Sequence, residues 1–250
     1  MYIDLEKAKR EFMNYTNNYN QENVSISRKV FHSLRVMDIS SEIAQKMNLS
    51  QEDVEIASVI GLLHDIGRFE QQTKFQTFND LHSFDHGDVG VQILEKQIRK
   101  FIATSQYDRL IKVSVKNHNK FQIEDGLNDR ELFFAKLIRD ADKIDILYEA
   151  TEIFWQGQEE IIRHETISPQ ILETLYHKQL IKNENDTDDQ PVNSVIRLLA
   201  FIFDINFDES FEIIKSKDYL NKIINRFDTN SNDTWQSIRN FLNHYLENIR

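Results

Sequence analysis

The stretch VIGLLHDIGRFEQ, residues 59–71, ends an apolar run on two adjacent side chains that can ligate a metal, His64 and Asp65, just before a glycine. The pair alone is ambiguous, because a core histidine beside a capping or hydrogen-bonded aspartate gives the same pattern. A buried carboxylate is costly without a compensating charge, and a divalent cation would supply one. Further residues of the same chemistry lie on apolar stripes elsewhere: His32 one turn before Val36, His86 ahead of Gly90 and Ile93, His118 after Ile111 and Val115, and Asp142 four residues after Ile138. Together they offer four imidazoles and two carboxylates, a nitrogen and oxygen set suited to hard-to-borderline divalent metals. The chain has no cysteine, which excludes disulfides, thiolate nucleophiles and cysteine-rich zinc sites. His82, His164, His177 and His244 lack this combination and read as structural.

The elements that must carry these residues are helices. Only 6 glycines and 2 prolines occur in 250 residues, too few for the many turns of a β protein. Val36, Ile39, Ile43 and Met47 recur at helical spacing, as do Ile138, Ala141 and Asp145, and no comparable period-2 run is present. Ser50 with Asp53 and Asn128 with Glu131 have capping-box spacing, and Ser168 precedes Pro169 at an expected first helical position. These signals predict an all-α fold of about ten helices, over 2–16, 26–47, 51–66, 86–101, 106–119, 129–155, 169–181, 192–203, 208–226 and 234–248. Residues 53–64 are apolar on nearly every face, so that helix should be central, with Gly61 allowing a neighbour to approach closely and Gly67 suited to its C-terminal cap. Two stretches read as irregular. Residues 68–85 form a connection long enough to suggest function, and the polar run KNENDTDDQPV, residues 182–192, reads as a linker or exposed loop.

The order H, HD, H, H, D in RKVFHSLRV, LLHDIGRFE, FDHGDVGVQIL, VKNHNKF and LIRDADKID resembles the HD-domain superfamily of metal-dependent phosphohydrolases. The resemblance covers roughly residues 26–150. It implies a helical bundle with the metal site at its centre. The chain is accordingly divided into an N-terminal helix over 1–25 packed on the core, an HD-type metal-binding core over 26–155, and a C-terminal helical extension over 156–250 expected to pack on the same domain. His86 and His118 look like the second-metal ligands of the binuclear branch. By that analogy His32, His64, Asp65 and Asp142 hold the first metal, His86 and His118 the second, and Asp65 bridges both, which explains why His64 and Asp65 are neighbours.

Two cations about 3.5 to 4 Å apart can acidify a water and stabilise in-line attack at phosphorus. The expected activity is therefore hydrolysis of a small phosphate ester, a nucleotide or related phosphomonoester, by metal-bound hydroxide, with His64 and Asp65 at the catalytic centre. The ligand set admits manganese, iron, cobalt, nickel, zinc or magnesium. Arg68, one turn beyond His64, and Arg35, one turn beyond His32, are candidate phosphate ligands, with Lys120 and Lys143 beside ligand positions as further candidates. The GYP-type signature of cyclic-dinucleotide phosphodiesterases and the HDxxED pattern of alarmone hydrolases are absent, so neither activity is transferred. Alternatives are a nucleotide phosphodiesterase, a non-catalytic metal- or nucleotide-binding regulatory module, and a di-iron oxygenase.

A formal charge of −11 argues against binding to a nucleic-acid polymer. The charged N-terminus lacks a signal-peptide core, and no run approaches the roughly 18 apolar residues of a membrane span, so a cytoplasmic protein is expected. Helices of the last 80 or so residues, with stripes such as Val195, Leu198, Leu199, Ile202 and Phe203, read as packed on the core or on a partner. A lid and a homo-oligomer surface both stay open. Phe207, Phe211, Tyr219 and Phe227 read as core.

Overall fold

A computed structural model describes residues 3–182, 190–228 and 233–249. Among these residues there are thirteen α-helices, two 3-10 turns and no strand, so the fold is all-α. The polar run at 182–192 falls largely outside the described residues. Chain contacts divide the protein into two compact units, Met1–Asp142 and Lys143–Arg250.

The first unit is built on α3 (Gln51–Leu63), whose residues from Val54 to Leu63 are all buried. Helices α1 (Leu5–Thr16), α2 (Val24–Lys46) and α6 (Asp108–Asn117) pack against it. At Gly61 the backbone of α3 lies directly against that of α2. A Cβ there would lie 2.7 Å from the Val36 carbonyl oxygen and 2.8 Å from Met37 Cα, so backbone meets backbone where any larger residue would hold the helices apart. Ser50 caps α3 through the Asp53 amide at 3.2 Å. The expected box at the start of α7 (Asp129–Glu152) is complete: the Glu131 amide donates to Asn128 Oδ1 at 2.9 Å, and the Asn128 amide donates to Glu131 Oε2 at 3.1 Å.

The stretch after His64 differs from expectation. Residues 66–75 form a helix, α4 (Ile66–Phe75), so only its C-terminal part, leading to a 3-10 turn at Asp80–His82, is irregular. Gly67 does not cap α3 but lies in the first turn of α4. Its missing Cβ leaves room for the backbone of α5 (His86–Phe101): an added Cβ would overlap the His86 carbonyl oxygen and lie 2.9 Å from the Gly90 nitrogen. Tyr15 and Tyr19 fix α4 from the other side. The Tyr15 and Tyr19 hydroxyls lie 2.7 Å apart, Tyr15 donates to the Ile66 carbonyl at 3.3 Å, and Tyr19 donates to Glu70 at 2.9 Å.

In the second unit, α8 (Glu159–His164), α9 (Pro169–Tyr176), α10 (Pro191–Leu199), α11 (Asp208–Lys217), α12 (Tyr219–Phe227) and α13 (Asp233–Asn248) surround a core of Ile162, Leu175, Ile196, Ile223, Phe227 and Leu242. Helix α8 was not expected from the sequence. The single helix expected over 208–226 is two, because Asp218 takes a left-handed conformation (φ 54°) between them. Phe227 is flanked by Trp155, edge-on at 5.7 Å, and Trp235, stacked at 5.9 Å. No helix among the described residues is long and apolar enough to cross a membrane.

Candidate metal centre

His64 is the C-terminal cap of α3 and Asp65 follows it, with Asp65 (φ −99°, ψ 17°) forming the elbow into α4. An aspartate before a helix usually accepts a hydrogen bond from that helix's first amides. Asp65 makes no such bond, and its carboxylate turns inward. His32 comes from the middle of α2, His86 is the first residue of α5, His118 follows the last turn of α6, and Asp142 lies on α7. All four histidines and Asp65 are buried, and Asp142 is half-buried.

The two oxygens of Asp65 face different partners. Oδ2 lies 3.4 Å from the Nε2 of both His32 and His64, while Oδ1 lies 3.3 Å from His86 Nε2 and 3.4 Å from His118 Nε2. On the first side Asp142 Oδ1 approaches His32 Nε2 at 3.1 Å and His64 Nε2 at 3.5 Å. Ligand atoms of His32, His64 and Asp142 lie within 4.8 Å of one another, as do those of His64, Asp65 and His118. The six residues singled out in the sequence thus converge.

Backbone and side-chain acceptors orient the rings. His64 Nδ1 donates to the Gly61 carbonyl at 2.7 Å and His118 Nδ1 to the Val115 carbonyl at 2.6 Å. A carbonyl can only accept, so these nitrogens carry a proton and Nε2 is the position that faces inward to ligate. His86 is oriented the same way by Asp80, whose oxygens lie 2.8 and 2.7 Å from His86 Nδ1. His86 Nε2 and His118 Nε2 consequently face each other at 3.0 Å beside Asp65 Oδ1, an arrangement that a proton or a metal ion between them satisfies. Burial, with the nearby His86 and His64, pushes the His118 imidazole down to about 4, so near neutral pH His118 does not supply that proton. Burial also opposes charge on His64, but Asp65 and Asp142 outweigh it and raise its pKa. Burial would raise Asp65, yet Lys29 and the imidazoles hold it well below the usual carboxylate range; Asp142 is held down against burial by His32 and His64. The donor set therefore fits metal ions on both sides of Asp65.

Several supporting residues carried no signal in the sequence. Asp80 accepts from Arg68 at 3.0 Å, Gln71 at 2.7 Å and Asn119 at 3.0 Å in addition to His86. The buried Arg139 donates to the carbonyls of Asn117, at 3.1 Å, and Lys120, which ties down the turn carrying His118. Lys29 Nζ lies 2.6 Å from Asp65 Oδ2.

The cations expected to meet a substrate are placed as follows. Arg68 Nε is 3.5 Å from Asp65 Oδ1, but its Nη1 is held by Gln71, Asp80 and the Phe78 carbonyl. Lys120 pairs with Asp85 at 2.5 Å and Asp88 at 3.0 Å, and Lys143 pairs with Asp204 at 2.7 Å. Arg35 is half-buried on α2, one turn beyond His32. His82, His164, His177 and His244 are exposed.

Residues 30–147 match the family model of the HD domain, and the chain contains an HD domain over that segment. HD domains are all-α, bind divalent metals and define a superfamily of metal-dependent phosphohydrolases. No curated protein and no solved structure is significantly similar to this chain.

Proposed function

We propose that this protein hydrolyses a small phosphate ester, a nucleotide or related phosphomonoester, at a centre that holds two divalent metals. The observation that carries the reading is the division of Asp65 between two pairs of imidazoles, one pair per carboxylate oxygen. His32, His64, Asp142 and Asp65 Oδ2 would hold one metal, and His86, His118 and Asp65 Oδ1 the other. Bound there, the metals supply Lewis acidity, which acidifies water and offsets charge at a phosphoryl group. The chain's own residues hold the imidazole lone pairs inward, keep Asp65 and Asp142 ionised, and enclose the centre in helices that exclude bulk water. In the net reaction water adds to phosphorus, the ester P–O bond breaks, and the departing alcohol leaves with one of the water protons.

The test compares wild type with Asp65→Asn after manganese loading and removal of free metal, by elemental analysis and by turnover of p-nitrophenyl phosphate. About two metals per wild-type chain are expected, with at most one in the variant and turnover lowered about 100-fold or more. An Asp65→Asn protein with wild-type metal content and turnover would end the reading.

A further inference from the structure

We propose that Lys29 is the cation that binds the terminal phosphoryl oxygens of the substrate, and that it selects a dianionic phosphomonoester over a diester. The inference deepens the two-metal reading and rests on it. Lys29 lies on α2 one turn before His32, is 9% exposed, and directs its ammonium at Asp65 Oδ2 from 2.6 Å. That oxygen is the one shared with His32 and His64. An ammonium has three N–H donors, so Lys29 can contact Asp65 and still offer donors to an anion at the same centre.

The surroundings of Lys29 point the same way. Its Nζ lies 5.6 Å from the centroid of the half-buried Phe78 ring, and the guanidinium carbons of Arg28 and Arg68 lie 5.9 and 5.6 Å from the same centroid. Three cations thus gather round one neutral ring beside the buried carboxylate. Arg68 has its Nη1 committed to the loop and to Asp80 and reaches Asp65 Oδ1 only through Nε at 3.5 Å, whereas Lys29 brings its whole ammonium to Asp65 Oδ2 at 2.6 Å. Divalent metals at Asp65 would take over the carboxylate charge that now balances the ammonium. Lys29 is then held by a buried position and an aromatic face among like charges, and an anion with two negative charges relieves that imbalance better than one with a single charge. A phosphomonoester carries the extra charge and the third terminal oxygen, and a diester does not.

The experiment uses manganese-loaded wild type, Lys29→Met and Lys29→Arg, with metal content, inorganic phosphate binding by calorimetry, and kcat/KM for p-nitrophenyl phosphate and its bis ester. Lys29→Met is expected to keep wild-type metal content, bind phosphate about 10-fold more weakly and lose about 10-fold in its preference for the monoester, with Lys29→Arg recovering most of both. Unchanged phosphate affinity and preference in a metal-replete Lys29→Met protein overturn the proposal and leave the two-metal reading standing. A wild type that takes up no metal brings down both. Should Lys29→Met fail to fold, acylation of wild-type lysines read by mass spectrometry decides the matter: phosphate protects Lys29 only when metal is loaded, and equal labelling with and without phosphate overturns the proposal.

Discussion

Asp80 gathers hydrogen bonds from Arg68, Gln71, His86 and Asn119, and so joins the loop after α4 to the second pair of imidazoles. Asp80→Asn leaves the loop contacts partly satisfied but no longer holds the proton on His86 Nδ1. Metal titration should then find one of the two bound ions weakened by about 10- to 100-fold while the other is retained. Equal weakening of both ions, or of neither, would contradict that role. His64 gives a second residue-level expectation. Burial lowers its pKa, Asp65 and Asp142 more than restore it, and the result is raised in the metal-free protein. A metal must displace the proton that this favours, so metal uptake should release protons in weakly buffered solution, and affinity should fall as pH is lowered. The six converging residues were legible in the sequence because each sits on an apolar stripe where a polar side chain is out of place. Asp80, Lys29 and Arg139 were not, since an aspartate in the polar segment NDLHSFD and cations on long helices look the same whether they serve the site or the solvent.

At the scale of elements, close packing of α4 on α5 is what holds Asp65 against His86. Gly67→Ala places a methyl group into the backbone of α5, where no flexible side chain can yield. A loss of about 1 to 3 kcal/mol in stability is expected from such overpacking, together with weaker metal binding on the His86 side, and a denaturant titration with parallel metal analysis measures both. Gln76 ends α4 in a left-handed conformation (φ 54°) that a side chain adopts at a cost. Gln76→Gly should therefore raise stability by roughly 0.5 to 1 kcal/mol, net of the entropy glycine adds to the unfolded chain. The same feature explains what the sequence hid. Asn48, Gln76, Trp155, Lys178 and Asp218 all take positive φ without being glycine. Turns made by such residues leave no punctuation, so α11 and α12 read as one helix. Helix α4 was missed for a different reason: the elbow at His64 and Asp65, followed by Gly67 and a polar stretch, looks like a helix end followed by a loop. The capped starts of α3 and α7 were legible because their side chains close bonds that the spacing alone specifies.

For the whole molecule, the candidate metal centre is a store of buried charge confined to one of two compact units. Among the described residues, every proposed ligand belongs to Met1–Asp142. Removing metal with a chelator should lower the thermal midpoint of that unit, by the equivalent of about 2.7 kcal/mol if the loading concentration was a hundred times the dissociation constant. The unit Lys143–Arg250 should unfold at an unchanged temperature, and calorimetry of loaded and stripped protein separates the two. The chain's indoles both fall on one side of that line. Both of its tryptophans, Trp155 and Trp235, lie against Phe227 in the second unit, whereas Tyr15 and Tyr19 lie beside the turn that carries Asp65. Indole emission excited at the red edge therefore tracks the second unit alone, giving an unlabelled sample an optical readout of the half that metal removal is expected to leave untouched.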